Sequence, residues 1–311
     1  MTWLGPFAVV VVVAVVALIG AELAARLAGL HRPLIYERTR YGYRVSPGQR
    51  ARLLTRSASY DAHGLRSEPF SGPPGRGQLR ILCIGDSITN GGLRVDQSET
   101  WPALLQAILR RHGKDAQVLN ASAGGWALEN EAGWLLEHGV FDSQIVVFEV
   151  GTHDLWQPRA SEATVGRHPA FPDRAPVLGL HAALVRYVLP RVFRRLTADP
   201  GTTHVEATPA DIDARLTVLK GMADHVRSKG AVPVVLHVEQ PHPHELMTPL
   251  VVDAKRKLRE WAGVDGVPYI NPSVAIERGG GTALFFDPHH PNAGGNRLIA
   301  AEVARHLEAL N

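Results

Sequence analysis

Ser87 lies where a nucleophilic serine would be expected in an α/β protein. It follows an apolar run, residues 79–84, that has the length and composition of a buried strand. Gly85 permits a tight turn after the run, which would expose the serine hydroxyl close to backbone N–H groups. An acyl-transfer nucleophile requires such a position. Gly-Asp-Ser also occurs in ordinary turns, so this segment alone only makes Ser87 a candidate.

A possible base for this serine lies near the C-terminus. Asp287 precedes His290 by three residues, just before a segment with helical periodicity. A carboxylate at that distance can accept a hydrogen bond from one ring nitrogen, so that the other nitrogen is free to take the proton of a serine hydroxyl. The same pattern also occurs at capped helix starts. Far downstream of a serine at a strand end, it becomes a candidate for catalysis.

Two further polar turns follow apolar runs. Gly124 and Gly125 come after residues 118–121, and paired glycines would let a backbone N–H approach a ligand closely. His153 comes shortly after residues 145–150. Helix-entry turns and structural N-caps are the alternative interpretations of these two segments.

The elements that would position these residues are indicated by five apolar runs of strand length. Segments with apolar residues at helical spacing lie between them, and several end in glycine. Strands that are apolar throughout are buried on both faces, and the helical connections suit right-handed crossovers. The pattern predicts an α/β protein, a three-layer α/β/α sandwich around a mostly parallel sheet of about five strands. The chemistry of such sheets lies at the carboxyl ends of the strands. The predicted strands are residues 79–84, 118–121, 145–150, 232–238 and 268–271.

The four polar segments, in this order, resemble the motifs of the SGNH/GDSL hydrolase family from about residue 79 to the C-terminus. The resemblance implies a flavodoxin-like fold and ester hydrolysis or acyl transfer without a metal or an organic cofactor. By position, Ser87 would be the nucleophile, His290 the general base and Asp287 the residue that orients it. The backbone N–H groups of Ser87 and Gly125 would hold the oxyanion.

The third segment departs from the family pattern. The family normally has an asparagine as an oxyanion donor where this chain has His153. Neutral imidazole carries one N–H and replaces an amide donor only in the right tautomer. We expect His153 to complete the oxyanion hole. The alternatives are a less active site or one adapted to another substrate.

The basic residues are concentrated near the N-terminus. Residues 1–80 contain 11 arginines and 4 acidic residues, whereas the rest of the chain has an excess of acidic residues. Nucleic-acid binding would require basic residues clustered on the folded domain, so this distribution argues against a nucleic-acid partner.

The first 21 residues carry no charged side chain, and about 20 apolar residues cross a bilayer as a helix. We therefore predict a single-pass transmembrane anchor over residues 1–25, a basic juxtamembrane stem over 26–78 and the catalytic domain over 79–311. A cleaved signal peptide is the main alternative, although the segment has no basic n-region and no clear cleavage site. The lipid bilayer is therefore an expected partner.

The side of the membrane on which the domain lies is predicted differently by two arguments. Arginines follow the apolar run, and this distribution favours a cytoplasmic domain. A bacterial, membrane-anchored subgroup of the family has a similar anchor and stem, and its x-G-[FL]-R motif is matched by residues 63–66. That resemblance implies an extracytoplasmic domain, which is the location we expect.

The sequence thus predicts a membrane-anchored serine esterase that forms a covalent acyl-enzyme on an acyl-ester substrate, such as O-acyl groups of a carbohydrate or a lipid. An acyltransferase with a sugar hydroxyl as acceptor would use the same residues. A non-catalytic anchored binding protein is the alternative from another class. The pattern does not indicate an oligomeric state.

Overall fold

The computed structural model describes residues 4–189, 207–241 and 247–309. Its centre is a five-stranded parallel sheet, which confirms the predicted fold class. The five strands are β5 (Leu79–Gly85), β6 (Ala116–Ser122), β7 (Ile145–Gly151), β8 (Val232–Val238) and β9 (Tyr269–Ile270). They lie in the order β6-β5-β7-β8-β9, and Ile81 of β5 pairs with Val118 on one side and with Ile145 on the other.

Helices cover both faces of this sheet. Successive residues of β5 point to opposite faces, so Ile81 lies in one hydrophobic core and Leu82 in the other. The helices are α1 (Leu4–Leu27), α2 (Ser87–Asn90), α3 (Trp101–Arg111), α4 (Leu128–His138), α5 (Gly179–Ala183), α6 (Pro209–Ser228), α7 (Pro249–Val264), α8 (Ser273–Gly279) and α9 (Ala293–Glu308). Side chains of α3 and α9 pack in the core that contains Ile81, and side chains of α4, α6 and α7 pack in the core that contains Leu82.

Two antiparallel hairpins precede the sheet and pack against it. Their strands are β1 (Tyr36–Thr39), β2 (Gly42–Val45), β3 (Arg50–Leu53) and β4 (Arg56–Ser59). Tyr43 and Tyr60 are buried in the core that also contains Leu82 and Trp126, and the Trp126 Nε1–H donates to the Tyr43 carbonyl at 2.7 Å. The segment predicted as a stem therefore shares a core with the sheet, while the predicted domain boundaries at residues 25 and 78 remain predictions.

Arg66, which belongs to the x-G-[FL]-R motif, is almost fully buried. Its guanidinium donates to the carbonyls of Asn90, Gly92, Val95 and Ser57. The carbonyl of Asn90 belongs to the last residue of α2, those of Gly92 and Val95 lie in the loop that follows, and that of Ser57 lies on β4. These carbonyls compensate the buried charge, and the Arg66 side chain thereby joins the β3–β4 hairpin to the loop beside Ser87.

Helix α1 exposes an apolar surface along its length. Residues Phe7–Leu27 have a mean hydropathy of 2.7, and residues 7–21 are all exposed. One helix in the described part of the chain is thus long and apolar enough to cross a membrane, a property that signal sequences share. Near its end, the Glu22 carboxylate accepts the N–H groups of Gly179 and Leu180 at 2.9 Å each, so α1 is attached to the folded body.

Replacement of Arg66 by methionine should destabilise the protein by about 3 kcal/mol, because several buried carbonyls lose their donor and each unpaired group costs about 1 to 3 kcal/mol. The measurement is thermal or denaturant unfolding of the detergent-solubilised full chain. Exposed Arg76→Met is the matched control. Equal stability of the two variants would contradict the role assigned to Arg66.

Candidate active site

Ser87 is the first residue of α2 and lies at the carboxyl end of β5. The side chain of Asp86 caps this short helix by accepting the Ile88 N–H at 2.7 Å. A side chain at Gly85 would meet Thr89 Oγ1 at 2.4 Å and Glu149 Oε2 at 2.9 Å, so only glycine fits beneath the turn. The tight strand-to-helix turn leaves Ser87 partly exposed.

His290 and Asp287 lie beside this serine, as the sequence predicts. Nε2 of His290 is 2.9 Å from the Ser87 hydroxyl, and its Nδ1 is 2.7 Å from Asp287 Oδ1. The same carboxylate oxygen accepts the backbone N–H groups of His289 and His290 at 3.0 Å, which fixes its orientation. The arrangement is a hydrogen-bonded relay from hydroxyl to imidazole to carboxylate, and its serine and histidine are 203 residues apart in the chain.

Arg94 is a neighbour of this relay that sequence reasoning missed. Its guanidinium pairs with Asp287 Oδ2, and Nη1 lies 3.1 Å from His290 Nδ1. Burial alone would raise the pKa of Asp287, but the charges and hydrogen bonds of His290 and Arg94 hold that pKa well below its usual range. The carboxylate is therefore ionised over the whole range in which imidazole titrates.

The turn that contains Gly125 faces Ser87. The ideal Cβ position of Gly124 is 3.9 Å from Ser87 Cβ, and the Gly124 carbonyl accepts the Tyr43 hydroxyl at 2.8 Å. A trans peptide points its N–H away from its carbonyl, so this bond also sets the direction of the Gly125 N–H. Gly125 has a positive φ of 76°, and a Cβ there would lie 2.9 Å from the Tyr43 hydroxyl. In the described part of the chain, no backbone carbonyl accepts the N–H of Ser87 or Gly125.

His153 lies at the same edge of the sheet, next to two buried carboxylates. Its Nε2 is 3.4 Å from Asp86 Oδ2 and 3.5 Å from Asp154 Oδ1. Its ring meets the ring of His289 at a centroid distance of 5.1 Å. Nε2 thus faces the two carboxylates, whereas Nδ1 is buried beside Gly151, where an added Cβ would lie 2.7 Å from it.

His289, which resembles an ordinary loop residue in the sequence, contacts the site through two groups. Its ring packs against His153, and its Nδ1 lies 2.7 Å from Gln240 Nε2. Burial lowers the pKa of His289 to about 4, and the nearby His153 and His290 add to the effect. His289 is therefore neutral at neutral pH and can accept the amide N–H of Gln240.

A group of buried acidic side chains lies beneath the serine. Burial raises the pKa of Glu131 and Glu149 well above the usual range, and the neighbouring carboxylates add to the shift. Burial also raises the pKa of Asp154 to about 7. For Asp86 burial acts in the same direction, but the hydrogen bond and charge of His153 keep its pKa below the usual value. Asp86 thus carries the negative charge that His153 faces.

The same cluster contains atoms suitable as metal ligands. One ligand atom each of Asp86, His153 and Asp154 lies within 4.8 Å of the others. An imidazole with two carboxylates is a donor set that divalent transition metals accept. It equally suits an imidazole N–H shared between two carboxylates. The sequence contains one H-x-H pair, His242 and His244. The two prolines in this segment and the lack of a paired cysteine or aspartate argue against a metal site, and the pair lies outside the described residues.

Replacement of Glu131 by glutamine should make stability less dependent on pH. Glu131 is fully buried, and neither carboxylate oxygen has a hydrogen-bond partner among the described residues. Its raised pKa means that the folded state keeps a proton that the unfolded chain loses above about pH 4.5, so its contribution destabilises the fold as pH rises. The variant should have a higher melting temperature than the wild type at pH 9, by about 2 to 4 °C for each kcal/mol relieved, and a smaller advantage at pH 5.

The measurement is thermal unfolding across this pH range. The control is Glu260→Gln, since Glu260 is exposed and pairs with Arg256 on the surface of α7. Parallel pH profiles for wild type and Glu131→Gln would contradict the assigned protonation.

Comparison with known proteins places this geometry in a family. The model of the GDSL-like Lipase/Acylhydrolase family matches residues 83–298. No curated protein matches the chain. Among solved structures, TesA is 21% identical, with 75% of this chain and all of that chain covered and a TM-score of 0.48. The esterase EstA from Pseudoalteromonas sp. is 15% identical, with 74% of this chain and 97% of that chain covered and a TM-score of 0.44. An inhibitor-bound aryl esterase from M. smegmatis is 16% identical, with 75% of this chain and all of that chain covered and a TM-score of 0.45. Because the family match covers more than half of its length, the chain belongs to the GDSL-like lipase/acylhydrolase family and is a hydrolase that acts on ester bonds.

Proposed function

We propose that the enzyme is a serine esterase that acts through a covalent acyl-enzyme formed on Ser87. The Ser87 oxygen attacks the ester carbonyl carbon while His290 Nε2 takes the hydroxyl proton. The tetrahedral intermediate collapses, the C–O bond to the alcohol breaks, and His290 returns the proton to the departing oxygen. A water molecule then attacks the acyl-enzyme with His290 again as base, which releases the carboxylic acid and restores the serine.

The hydrogen-bonded relay of Ser87, His290 and Asp287 is the observation that carries this proposal. Hydrogen bonds of 2.9 and 2.7 Å align the imidazole between hydroxyl and carboxylate. The ionised carboxylate accepts the Nδ1–H, which leaves the Nε2 lone pair for the serine proton. The charge of Asp287 also stabilises the imidazolium that forms in the transition state.

We assign the oxyanion hole to the N–H groups of Ser87 and Gly125 and to the His153 ring. The two backbone groups need no proton from solution, whereas a histidine donor depends on which ring nitrogens are protonated. Asp86 and Asp154 support this third donor because they hold the ring at this edge of the sheet, with its Nε2 at 3.4 and 3.5 Å from their carboxylate oxygens.

We further propose that α1 holds the enzyme at a membrane and that the catalytic body lies outside the cytoplasm, as in the subgroup that the sequence resembles. The apolar surface of α1 supports the first part. The Glu22 hydrogen bonds to the N-terminus of α5 attach the helix firmly to the body, which suits an anchor more than a removable leader. An anchored esterase would act on acyl esters of lipids or carbohydrates at the membrane surface.

Hydrolysis of short and medium p-nitrophenyl acyl esters by the full chain should fall about 10⁴-fold or more in Ser87→Ala, because the nucleophile is lost. Ser228→Ala, at the far end of α6, is the matched control and should retain wild-type turnover. A fluorophosphonate probe should label the wild type and the control but not Ser87→Ala. Labelling without hydrolysis would favour acyl transfer to another acceptor. If the folded wild type is neither labelled nor active, the protein has a non-catalytic binding role.

His153→Ala should lower kcat about 10²- to 10³-fold with unchanged folding, which is the usual loss for one oxyanion donor. His153→Asn, which introduces the amide that the family normally has there, should recover most of this loss. The measurement is kcat between pH 5 and 9 for the three proteins, together with their thermal unfolding. Equal turnover of wild type and His153→Ala would remove His153 from the site.

A further inference from the structure

A surface cleft of about 650 Å³ lies beside the relay, and three arginines line it. Arg56 comes from the first residue of β4, Arg94 from the loop after α2, and Arg297 from the first turns of α9. All three are exposed, and elements distant in sequence bring them together. We call this cavity the arginine cleft.

Two cations of the arginine cleft, Arg56 and Arg297, have no carboxylate partner among the described residues, whereas its acidic groups accept hydrogen bonds from neighbouring residues. Among the described residues, no carboxylate forms an ion pair with Arg56 or Arg297. Oδ2 of Asp96 accepts the backbone N–H and hydroxyl of Ser57 at 2.9 and 3.0 Å. Oε2 of Glu99 accepts the Asp96 N–H at 3.0 Å. Both carboxylates keep their charge but are oriented by these bonds, and the guanidinium groups of Arg56 and Arg297 remain as donors for an anionic occupant.

The cleft adjoins the carboxylate end of the relay through Arg94 and Phe286. Arg94 lines the cleft and also pairs with Asp287 of the relay. Phe286, directly before Asp287, lies on the cleft wall with 47% of its surface exposed, and Arg56 lies 5.9 Å from the centre of its ring. An anion among the arginines would thus lie beside the Asp287 end of the relay, with an apolar ring next to it.

The cleft also lies on the side of the body where α1 ends. The tip of the β3–β4 hairpin is bound to the residues after α1, since the Leu54 N–H donates to the Ala28 carbonyl at 2.6 Å. The next two residues, Thr55 and Arg56, line the cleft. The uncharged part of α1 ends at Ala21, and at 1.5 Å per residue Ala28 lies roughly 10 Å beyond it. If α1 spans a bilayer, this is the level of the lipid headgroups.

We propose that the arginine cleft binds a phosphate group of the ester substrate, so that the enzyme prefers acyl esters that carry a phosphate near the scissile bond. This inference rests on the proposed esterase function and names its substrate class. Guanidinium groups bind phosphate oxygens through paired N–H donors, and Arg56 and Arg297 can both do so without breaking an existing ion pair. The N-terminal end of α9 in the cleft wall adds a favourable dipole.

The test compares two esters with the same acyl groups and different charge. Dioctanoyl phosphatidic acid and dioctanoylglycerol are presented to the full chain in micelles of an uncharged detergent, and octanoate release gives kcat/KM for each. The wild type should prefer the phosphate ester. This preference should fall about tenfold in Arg56→Gln and in Arg297→Gln, and further in the double variant, because each removes a charged hydrogen-bond donor. Arg305→Gln, which is also on α9 but exposed and paired with Glu302, should retain the preference.

The outcomes separate the cleft from the catalytic proposal. Hydrolysis that depends on Ser87 but shows no phosphate preference, or a preference unchanged in the double variant, would overturn the cleft assignment alone. If the folded wild type neither hydrolyses these esters nor reacts with the fluorophosphonate, the proposed function is overturned. In that case, calorimetric titration of monomeric dihexanoyl phosphatidic acid still tests the cleft, since its binding should weaken in the double variant, and equal binding to both proteins would overturn it.

The physical state of the phosphate ester identifies its source. A preference that appears for dioctanoyl phosphatidic acid in phosphatidylcholine vesicles and for the monomeric dihexanoyl ester supports recognition of the phosphate itself. A preference confined to vesicles supports a lipid headgroup at the membrane surface.

Discussion

The hydrogen bond between Ser87 and His290 depends on how firmly two distant segments are held together. Ser87 begins α2, whereas His290 lies in the loop that leads into α9. The side chain of Asn296 on α9 joins the loop of His290 to the start of α3, because its oxygen accepts the Trp101 N–H at 2.9 Å and its amide donates to the Pro291 carbonyl at 3.0 Å. Asn296 is 1% exposed, so these bonds form away from competing water.

The other side of the serine is held by a polar chain that passes through the core. The Trp101 indole N–H donates to Thr89 Oγ1 at 3.2 Å, and the Thr89 hydroxyl donates to Glu149 Oε2 at 3.0 Å. Glu149 lies on β7, so the chain connects α3, α2 and the middle of the sheet. A carboxyl buried there is costly, and its raised pKa keeps it in the neutral form that costs less. At the edge of the sheet, Ser87 is thus held rigidly above buried carboxyl groups. Asp86 is ionised among them, whereas Glu149 is protonated.

The sequence was sufficient to predict the sheet and the relay because both leave local signals. Mostly apolar runs of this length, such as 79–84 and 145–150, are typical of strands buried on both faces, and the ends of parallel strands meet at one edge. Arg94 left no comparable signal, since it lies in an ordinary loop and its partner Asp287 is 193 residues away. Glu149 was visible as a charged residue within an apolar run, but its partners depend on which helices cover that face.

The hairpins before the sheet do more than connect it to α1. The Tyr43 hydroxyl holds the Gly124 carbonyl and thereby directs the Gly125 N–H, while Arg66 holds the loop from Asn90 to Val95 through its carbonyls. The segment that resembles a stem in the sequence therefore shapes both sides of the serine. Its composition, rich in arginine, tyrosine and glycine, does not show this, because tyrosine and arginine side chains bury their length and expose their polar ends in many settings. Only the paired positions of hydroxyl, guanidinium and peptide carbonyls show that the body requires this segment. The contacts that attach α1 to the body thus continue, through the hairpins, to the groups that surround Ser87.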